Sequence, residues 1–407
     1  MTVNERASES PGDWCIVCGL ISLLRRLGFY WRLRDGILGN NALRGRMVVT
    51  GSAGWSQVTK RSPLVRAVFR SSLTRILVKY LLRPCAKHRM LALLGYRSSE
   101  PSVRNNHGNA LPQSGKGTNE VLRESARLAL SHFLNQFGGR WSFPRPETPA
   151  ASIILVTYNK SEHTFRCLES IRAFADVPYE IIIVDNASTD ETLELLSRLD
   201  GVSIIKNETN LGFGLACNQG ASKAKSENLL FLNNDTTISP GSFSALTRIL
   251  EDRPDVGAVG AKIVLMDGTL QEAGSILWAD GSNLGYGRGR DPSDPEFTYL
   301  REVDYCSGVC LMVRRDAFEK LGGFDDRYSP AYYEDCDLCL GLQDRGWRVV
   351  YQPEAVIFHH EHGSTSATDA MLLMQRNRIK FVEKWRTVLL ERESPSERRV
   401  LWARDRS

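Results

Sequence analysis

Short apolar runs alternate with amphipathic stretches in the middle of the chain, between about residues 150 and 260. The apolar runs are 152–157, 180–184, 202–205 and 228–232, and the amphipathic stretches between them are 161–175, 189–199 and 212–225. Continuous runs rich in Ile, Leu and Val are typical of strands buried on both faces. Their alternation with helical periodicity predicts an α/β domain with a doubly wound, mostly parallel, Rossmann-like sheet.

The same pattern continues toward the C-terminus. It predicts helices at 241–252, 315–321, 334–345 and 371–390, and strands at 256–264, 305–313 and 347–351. The Gly- and Asp-rich stretch 267–302 predicts long loops. Before the domain, a short helix at about 120–136 leads into a Pro-rich entry. The predicted divisions are 1–117, 118–150, 151–366 and a C-terminal helix and tail at 367–407.

Charge divides the chain unevenly. Residues 1–117 hold 19 Lys and Arg against five Asp and Glu, whereas the whole chain of 407 residues has a net charge of only +5. The basic extension predicts an anionic partner, either a membrane surface reached by basic amphipathic helices or, less favoured, a nucleic acid. The alternative is a small helical subdomain that packs on the main body. In either case, the polar composition of 98–119 predicts a linker.

No apolar run approaches the roughly 20 residues that a transmembrane helix needs. The longest, at 15–24, follows acidic residues where a signal peptide requires a positive start. The nine cysteines include Cys167, Cys217 and Cys310 among apolar neighbours, which indicates buried free thiols. These features predict a cytoplasmic protein, with peripheral attachment to the inner face of the plasma membrane through residues 1–117.

Small polar residues follow each of the first four predicted strands. The residues are Thr157, Tyr158 and Asn159 after the first, Asp185 to Ser188 after the second, Asn207 and Asn210 after the third, and Asn233, Asn234 and Asp235 after the fourth. Ligands bind outside the carboxyl ends of the strands in open α/β sheets, so this edge is the predicted site.

Each strand-end group has a structural alternative. Asp185 is either a turn-capping carboxylate or an acceptor for a nucleotide base. Gly212 and Gly214 open a helix whose N-terminus favours a diphosphate, although a glycine pair alone is a weak signal. Asp235 is either a turn former or a ligand for a hard divalent cation. There is no G-x-G-x-x-G after the first strand and no Walker A motif, which disfavours a dinucleotide-binding domain.

Two further clusters carry candidate chemistry. Acidic residues at 334–337 begin a helix, where they either cap the helix dipole or supply a general base. Three of the seven histidines, His359, His360 and His362, precede a Gly/Ser loop, an arrangement that favours metal or phosphate contact.

Taken in order, these pieces resemble a family 2 glycosyltransferase with the GT-A fold, in the bacterial rhamnosyltransferase-like branch. The resemblance covers about 150–385. It rests on SIILVTYN at 152–159, IIIVDNAS at 181–188, NLGFGLACNQG at 210–220, FLNNDT at 231–236, SGVCLMVRR at 307–315, GGFDDRY at 322–328, YYEDCDL at 332–338 and HHEHGST at 359–365.

The resemblance implies inverting transfer from a nucleotide-diphosphate sugar, such as dTDP-rhamnose or a UDP-sugar, to a cell-surface glycan or lipid-linked acceptor. Asp335 is the implied general base, and Glu334 is implied to assist in positioning the acceptor. Asp235 and a C-terminal histidine, His360, are the implied ligands of Mg²⁺ or Mn²⁺. The residues implied to line the donor site are Thr157, Tyr158, Asn159, Asp185, Asn210, Gly212, Phe213, Asn218, Asn233, Asn234 and Gly308.

One departure from the family pattern concerns the metal. Asn233 stands where the D-x-D motif has its first carboxylate, so weaker cation binding is expected. Two alternatives to an active transferase remain, namely a catalytically inactive GT-A scaffold anchored by its basic N-terminus and a sugar-nucleotide pyrophosphorylase. Asp185, Asp235 and Asp335 argue against the first. The second is disfavoured because Thr157 to Lys160 do not match the Gly-rich loop of those enzymes.

Overall fold

A computed structural model of the chain describes residues 115–135, 140–361 and 367–395. Its helices are α1 Gly115–Asn135, α2 Ser161–Phe174, α3 Thr192–Ser197, α4 Phe213–Ala221, α5 Ser242–Asp252, α6 Arg315–Leu321, α7 Glu334–Asp344, α8 Ala367–Lys384 and α9 Arg386–Leu389. Its strands are β1 Trp141–Ser142, β2 Ala151–Thr157, β3 Tyr179–Asp185, β4 Leu199–Asp200, β5 Val202–Lys206, β6 Asn228–Asn233, β7 Thr236–Ile238, β8 Val256–Leu265, β9 Leu270–Ala273, β10 Ser275–Leu277, β11 Asn283–Gly285, β12 Arg301–Glu302, β13 Cys310–Arg314 and β14 Arg348–His359.

A ten-stranded sheet forms the centre of the domain, in the order β12-β14-β8-β13-β6-β2-β3-β5, with β7 beside β14 and β9 beside β8. Six of the ten strands, β5, β3, β2, β6, β8 and β14, run in the same direction. Strand β13 runs against its neighbours β6 and β8. The mostly parallel sheet predicted from the sequence is therefore confirmed.

Helices cover both faces of this sheet because the middles of the central strands are continuous apolar runs with side chains on both faces. In β2, Ile153 and Leu155 face one core, with side chains from α1, α2, α3 and α5. Ile154 faces the other core, with side chains from α4, α6, α7, α8 and α9. Cys167, Cys217 and Cys310 are buried free thiols, as predicted. None of the described helices is both long and apolar enough to pass through a bilayer.

The predicted loop region 267–302 is wrong in part, since it contains β9, β10, β11 and β12. All four residues of β9 are buried, including Gln271 and Glu272. These two polar side chains are satisfied by hydrogen bonds to His359 and to Ser307. Hydropathy cannot identify a strand whose buried residues are polar but fully partnered.

The predicted strand 305–313 is also too long. Only Cys310–Arg314 joins the sheet, because Tyr305 makes an isolated bridge to Ser275 and the segment after it turns toward two carboxylates. Conversely, the last strand continues to His359 beyond the predicted end at 351, with a register shift between Gln352 and Val356.

Three helix predictions change at their ends. The helix predicted at 189–199 spans Thr192–Ser197, because Asp190 accepts hydrogen bonds in the turn before it and Leu199 joins a strand. The helix predicted at 212–225 ends at Ala221. The terminal helix is divided into α8 and α9 at Trp385. Nearly all of the basic extension, His362 and the end of the tail lie outside the described residues. What the sequence predicts for them, and the predicted domain limits, therefore stay predictions.

Candidate active site

The polar residues that follow the strands meet at one edge of the sheet, as predicted. Thr157 at the end of β2 is the register partner of Asp185 at the end of β3. On its other side, β2 pairs with β6, which ends at Asn233. Strand pairing alone therefore brings the first, second and fourth strand ends together.

The loop after β2 is held by its own hydrogen bonds. Thr157 is buried, with its Oγ1 2.9 Å from Thr164 Oγ1. Asn159 has a left-handed backbone (φ 55°), and its side-chain oxygen accepts from the amide of Thr189 at 2.7 Å. Tyr158 between them is 45% exposed. Of the three residues predicted to line the nucleoside pocket here, Tyr158 is the one whose side chain faces outward.

Asp185 is 2% exposed, and its two carboxylate oxygens lie 3.4 and 3.3 Å from the amide of Ser188. These are long contacts, which leave the carboxylate with unused acceptor capacity. Beside it is an amide network that sequence reasoning missed. Asn207 donates to Asn186 and to Gln219, at 2.8 Å in each case. Nothing in the spacing of these three residues indicates that they meet.

Gly212 connects this network to the helix α4. The side-chain amide of Asn186 donates to the carbonyl of Gly212 (3.1 Å). The backbone amide of Gly212 in turn donates to the side-chain oxygen of Asn210 (2.9 Å). The amide of Phe213 donates to the carbonyl of Pro330 at 2.7 Å. These contacts fix the loop that opens α4, and Asn210 acts within it as a turn-forming residue.

Asn218 is engaged within the protein. Its side chain donates to the carbonyl of Phe324 (2.8 Å) and accepts from the amide of Phe324 (2.9 Å). A paired amide of this kind holds the Gly323–Phe324 turn against α4. Its expected position beside the donor stays a prediction.

Substituting Gly212 with alanine is expected to weaken donor binding at least about tenfold. Gly212 has φ 85° and ψ 176°, a region that only glycine occupies without a cost of about 1–3 kcal/mol. An added Cβ would also lie 2.5 Å from the carbonyl oxygen of Pro330. Gly241 is a matched control, because it has φ 83° but no atom within 4 Å of an added Cβ. Nucleotide titration should show a normal dissociation constant for G241A, and equal affinities for the two variants would contradict the assignment.

Asp235 lies between β6 and β7 and is 7% exposed. Its Oδ1 is 3.1 Å from Nε2 of His359, and Nδ1 of that imidazole is 2.8 Å from Oε1 of Gln271. Burial would raise the pKa of Asp235, but the adjacent His359 outweighs it and the pKa lies below its usual range. His359 therefore bonds to Gln271 through Nδ1 and lies against the Asp235 carboxylate through Nε2.

Two further imidazoles lie near Asp235. The rings of His163 and His360 are 5.2 Å apart, and both histidines interact electrostatically with Asp235. Burial and the neighbouring His163 lower the pKa of His360 to about 4, so this imidazole is neutral and able to bind a metal ion. In the described part of the chain, no three His, Cys, Asp or Glu side chains converge as a complete metal site. The residues present make a partial set, in which Asp235 Oδ1 also lacks a hydrogen-bond partner of good geometry among the described residues.

The amides of the loop after β6 stabilise this region. Asn234 donates to Thr164 Oγ1 at 2.9 Å, and the backbone amide of Asn233 donates to the carbonyl of Val309 at 3.0 Å. The first contact ties the loop to α2, and the second ties it to the segment that leads into β13.

Glu334 and Asp335 begin α7 and have different surroundings. Asp335 is partly exposed, and its carboxylate accepts from the amides of Gly308 (3.0 Å) and Cys336 (2.8 Å). Glu334 is buried, and its Oε2 has no hydrogen-bond partner within the described structure. Burial raises the pKa of both carboxyls, and the adjacent Asp335 raises that of Glu334 further, well above its usual range. Of the two carboxyls, Asp335 accepts from two amides, which stabilise its charged form, whereas Oε2 of Glu334 has no such donor among the described residues.

Gly308 lies between this pair and the loop that opens α4. An added Cβ at Gly308 would lie 3.2 Å from the ring of Phe213 and 3.8 Å from Cβ of Asp335. The three residues predicted from separate motifs are therefore in one place.

Two residues that the sequence did not indicate support the pair. Asn377 of α8 is fully buried and donates to the carbonyls of Tyr328, Ala331 and Tyr332. Tyr332 and the residue after it have φ of 75° and 76°, so this amide holds the strained turn that precedes Glu334. The other is Glu272 of β9, whose Oε1 accepts from the amide of Ser307.

Comparison with known proteins gives a consistent result. The sequence profile of glycosyl transferase family 2 matches residues 152–322. The N-acetylglucosaminyl-diphospho-decaprenol L-rhamnosyltransferase of Mycobacterium tuberculosis is 30% identical in an alignment 258 residues long, gaps included, that covers 58% of this chain and 84% of that protein. The O-antigen biosynthesis protein RfbC of Myxococcus xanthus is 30% identical over 66% of this chain, although the match covers only 23% of that protein.

Among solved structures, GalNAc-T7 with UDP, GalNAc and Mn²⁺ aligns with a TM-score of 0.48 and 16% identity, over 72% of this chain and 62% of that chain. The sheet order and the sequence matches agree with the resemblance drawn from the motifs. The chain therefore belongs to glycosyl transferase family 2 and is a glycosyltransferase with the GT-A fold.

Proposed function

We propose that this enzyme transfers one sugar, with inversion, from a nucleotide-diphosphate sugar to a hydroxyl group of a glycan or lipid-linked acceptor. The observation that carries the proposal is the Glu334–Asp335 pair, at the edge where Asp185 and Asp235 also lie. A partly exposed carboxylate held by two amides, beside a buried protonated carboxyl, has the properties of a general base.

In the proposed reaction, Asp335 takes the proton of the acceptor hydroxyl as its oxygen attacks the anomeric carbon. The bond from that carbon to the diphosphate oxygen breaks, and the nucleoside diphosphate leaves with the bonding electrons. Attack from the face opposite the leaving group inverts the configuration. Glu334 remains protonated and assists in positioning the acceptor.

The donor is proposed to bind along the strand ends. Tyr158 offers an exposed ring for stacking on the base, and Asp185 offers acceptor capacity for its N–H groups. The diphosphate is proposed to lie at the first turn of α4, at the amides that follow Phe213, because the amide of Phe213 itself donates to Pro330. Phe213 and Gly308 close the sugar side of the pocket.

Asp235 and His360 are the proposed ligands of Mg²⁺ or Mn²⁺. Their chemistry fits a divalent cation, because a carboxylate oxygen and a neutral imidazole nitrogen are both suitable donors. When bound, the cation would neutralise charge on the departing diphosphate. The set is small, so diphosphate oxygens and water would have to complete the coordination.

The acceptor class is proposed from the relatives. The matched mycobacterial protein is named for transfer of L-rhamnose to N-acetylglucosaminyl-diphospho-decaprenol, and the Myxococcus protein is named for O-antigen biosynthesis. These names support an L-rhamnosyl donor and a polyprenyl-linked or cell-surface glycan as acceptor. The proposed donor is dTDP-rhamnose or a UDP-sugar. A cytoplasmic location at the inner membrane face, through residues 1–117, stays a prediction.

A thermal-shift panel of nucleotide diphosphates and nucleotide sugars, with and without Mn²⁺, tests the donor site. A ligand that binds only the native state raises the melting temperature in proportion to the logarithm of its concentration over Kd. We expect UDP or dTDP compounds to give a shift that Mn²⁺ enlarges, followed by sugar transfer to a lipid-diphosphate acceptor. No shift with any nucleotide would favour the inactive scaffold. Formation of nucleotide sugar from a nucleoside triphosphate and a sugar phosphate would favour the pyrophosphorylase.

A further inference from the structure

Glu272 is a buried carboxyl in the second half of the domain, 5% exposed, in a segment to which the proposed reaction assigns no role. Its Oε1 accepts from the amide of Ser307 at 3.0 Å, and its Oε2 accepts from Oγ of Ser275 at 3.1 Å. Burial raises the pKa of Glu272 to about 7. A buried carboxyl is costly, and here both oxygens are held by donors, which fixes the side chain in one orientation.

Its position on β9 is also fixed. Glu272 is the register partner of Ile263 in β8, and its neighbour Gln271 contacts the imidazole of His359. The carboxylate is therefore attached to the central sheet.

The segment held by Glu272 is the one that contacts the base. Ser307 donates its amide to Glu272, and the next residue, Gly308, donates its amide to Oδ2 of Asp335 at 3.0 Å. Two consecutive amides thus contact two carboxylates on different elements. The carbonyl of Val309 accepts from the amide of Asn233, so the segment is attached at both ends.

We propose that Glu272 is a positioning residue, whose carboxylate fixes the Ser307 amide and thereby directs the Gly308 N–H at the Asp335 carboxylate. The proposal rests on the role of Asp335 as base. It differs from a purely structural role because displacement of Gly308 would alter the orientation of a reacting group on the sugar side of the pocket, while the nucleotide contacts proposed at Tyr158 and Asp185 would stay in place. A displacement of about 1 Å at a reacting group can cost about 10²-fold in rate.

Two conservative variants distinguish the effect of side-chain length at residue 272 from the effect of its charge. E272Q keeps an oxygen for the Ser307 amide and an NH₂ group for Ser275, but it removes the charge. E272D keeps the charge but shortens the side chain by one methylene, so that it no longer spans to Ser307. Glu302 of β12 is a matched control, because it is exposed and pairs with Arg348 away from the site.

We expect kcat of E272Q to stay within about threefold of the wild type and kcat of E272D to fall at least about tenfold. Donor affinity, measured by nucleotide titration, should stay within about twofold in both variants. E302Q and E302D should keep the wild-type kcat, donor affinity and hydrogen–deuterium exchange. Hydrogen–deuterium exchange of the peptide spanning residues 305–312 should accelerate in E272D and not in E272Q, because the Ser307 and Gly308 amides lose their acceptors only in the former.

The opposite ranking, with E272Q slow and E272D normal, would overturn the proposal in favour of a charge effect. Normal kcat in both variants, or a loss of donor affinity that parallels the loss of kcat, would also overturn it. Unchanged exchange in E272D would overturn it whatever the activity. If the wild-type protein transfers sugar from no donor, the proposed function fails, while the exchange data still decide whether Glu272 fixes this segment.

Discussion

Replacing Asp335 with asparagine is expected to lower kcat about 10³-fold and to leave donor affinity within about twofold, as general-base removal typically costs 10²- to 10⁴-fold. Asparagine keeps an oxygen that can accept from the amide of Gly308, so the loop should retain its position. It cannot take a proton from the acceptor hydroxyl. Steady-state kinetics at saturating donor, together with nucleotide titration, measure the two quantities separately.

The neighbouring carboxyl provides the sharper comparison. Because Glu334 is buried and its Oε2 is without a hydrogen-bond partner in the described structure, it should be protonated, and E334Q should mimic that state. We expect E334Q to retain kcat within about tenfold, well above D335N. A loss in E334Q as large as that in D335N would show that the base cannot be assigned to Asp335 alone. D344N, an exposed change at the other end of α7, controls for the loss of an acidic residue on this helix.

The pH profile follows from the same environment. A general base is inactive when protonated, so kcat must fall as the pH drops through its pKa. Burial raises the pKa of Asp335, so the acidic limb of the wild-type profile should lie above about 3.9, the ordinary value for an aspartate. An acidic limb at or below that value would contradict the assignment.

The meeting of the strand ends was predictable from the sequence because strand pairing has little freedom. Once 152–157 and 180–184 are parallel neighbours, Thr157 and Asp185 must end side by side. Burial on both faces leaves no other position for such apolar runs. The helical pattern at 334–345 separately predicted the start of α7, where the acidic residues are.

Side-chain roles at this edge were less predictable. Three asparagines were expected at the donor site, namely Asn159, Asn210 and Asn218. In each of them the side-chain oxygen instead accepts a hydrogen bond from a nearby backbone amide. Asparagine forms turns and backbone clamps as readily as it binds ligands, and spacing does not distinguish these uses. Their contribution to the site is therefore the shape of the loops, and direct donor contact stays a prediction.

The residues that sequence reasoning missed share a physical cause. Glu272 and Asn377 are buried polar side chains that act on segments 35 and about 46 residues away in the sequence. Periodicity reports which face of an element is apolar, and it carries no information on which distant backbone amide or carbonyl a buried polar group will satisfy. Such contacts become visible only when the chain is folded.

Substitutions at Asp235 and Asn233 are expected to change the metal dependence of donor binding in opposite directions. D235N removes the carboxylate among the proposed ligands, so donor affinity in Mn²⁺ should fall at least about tenfold, and added Mn²⁺ should restore it only in part. The variant keeps the size of the side chain and an oxygen beside His359, so the fold should survive.

The substitution N233D should have the opposite effect and strengthen Mn²⁺-dependent donor binding. It restores a carboxylate at the position where the D-x-D motif has its first aspartate, and the backbone amide that anchors residue 233 to Val309 is unaffected. An added negative ligand raises the affinity of a site for a hard divalent cation. The test is a titration of each protein with Mn²⁺ at a fixed concentration of UDP or dTDP. We expect half-maximal donor binding at a lower Mn²⁺ concentration in N233D than in the wild type. In D235N, we expect it at a higher Mn²⁺ concentration. If neither substitution moves the Mn²⁺ midpoint, the cation does not bind at this strand end, and charge on the diphosphate must instead be balanced by the helix N-terminus at Gly212.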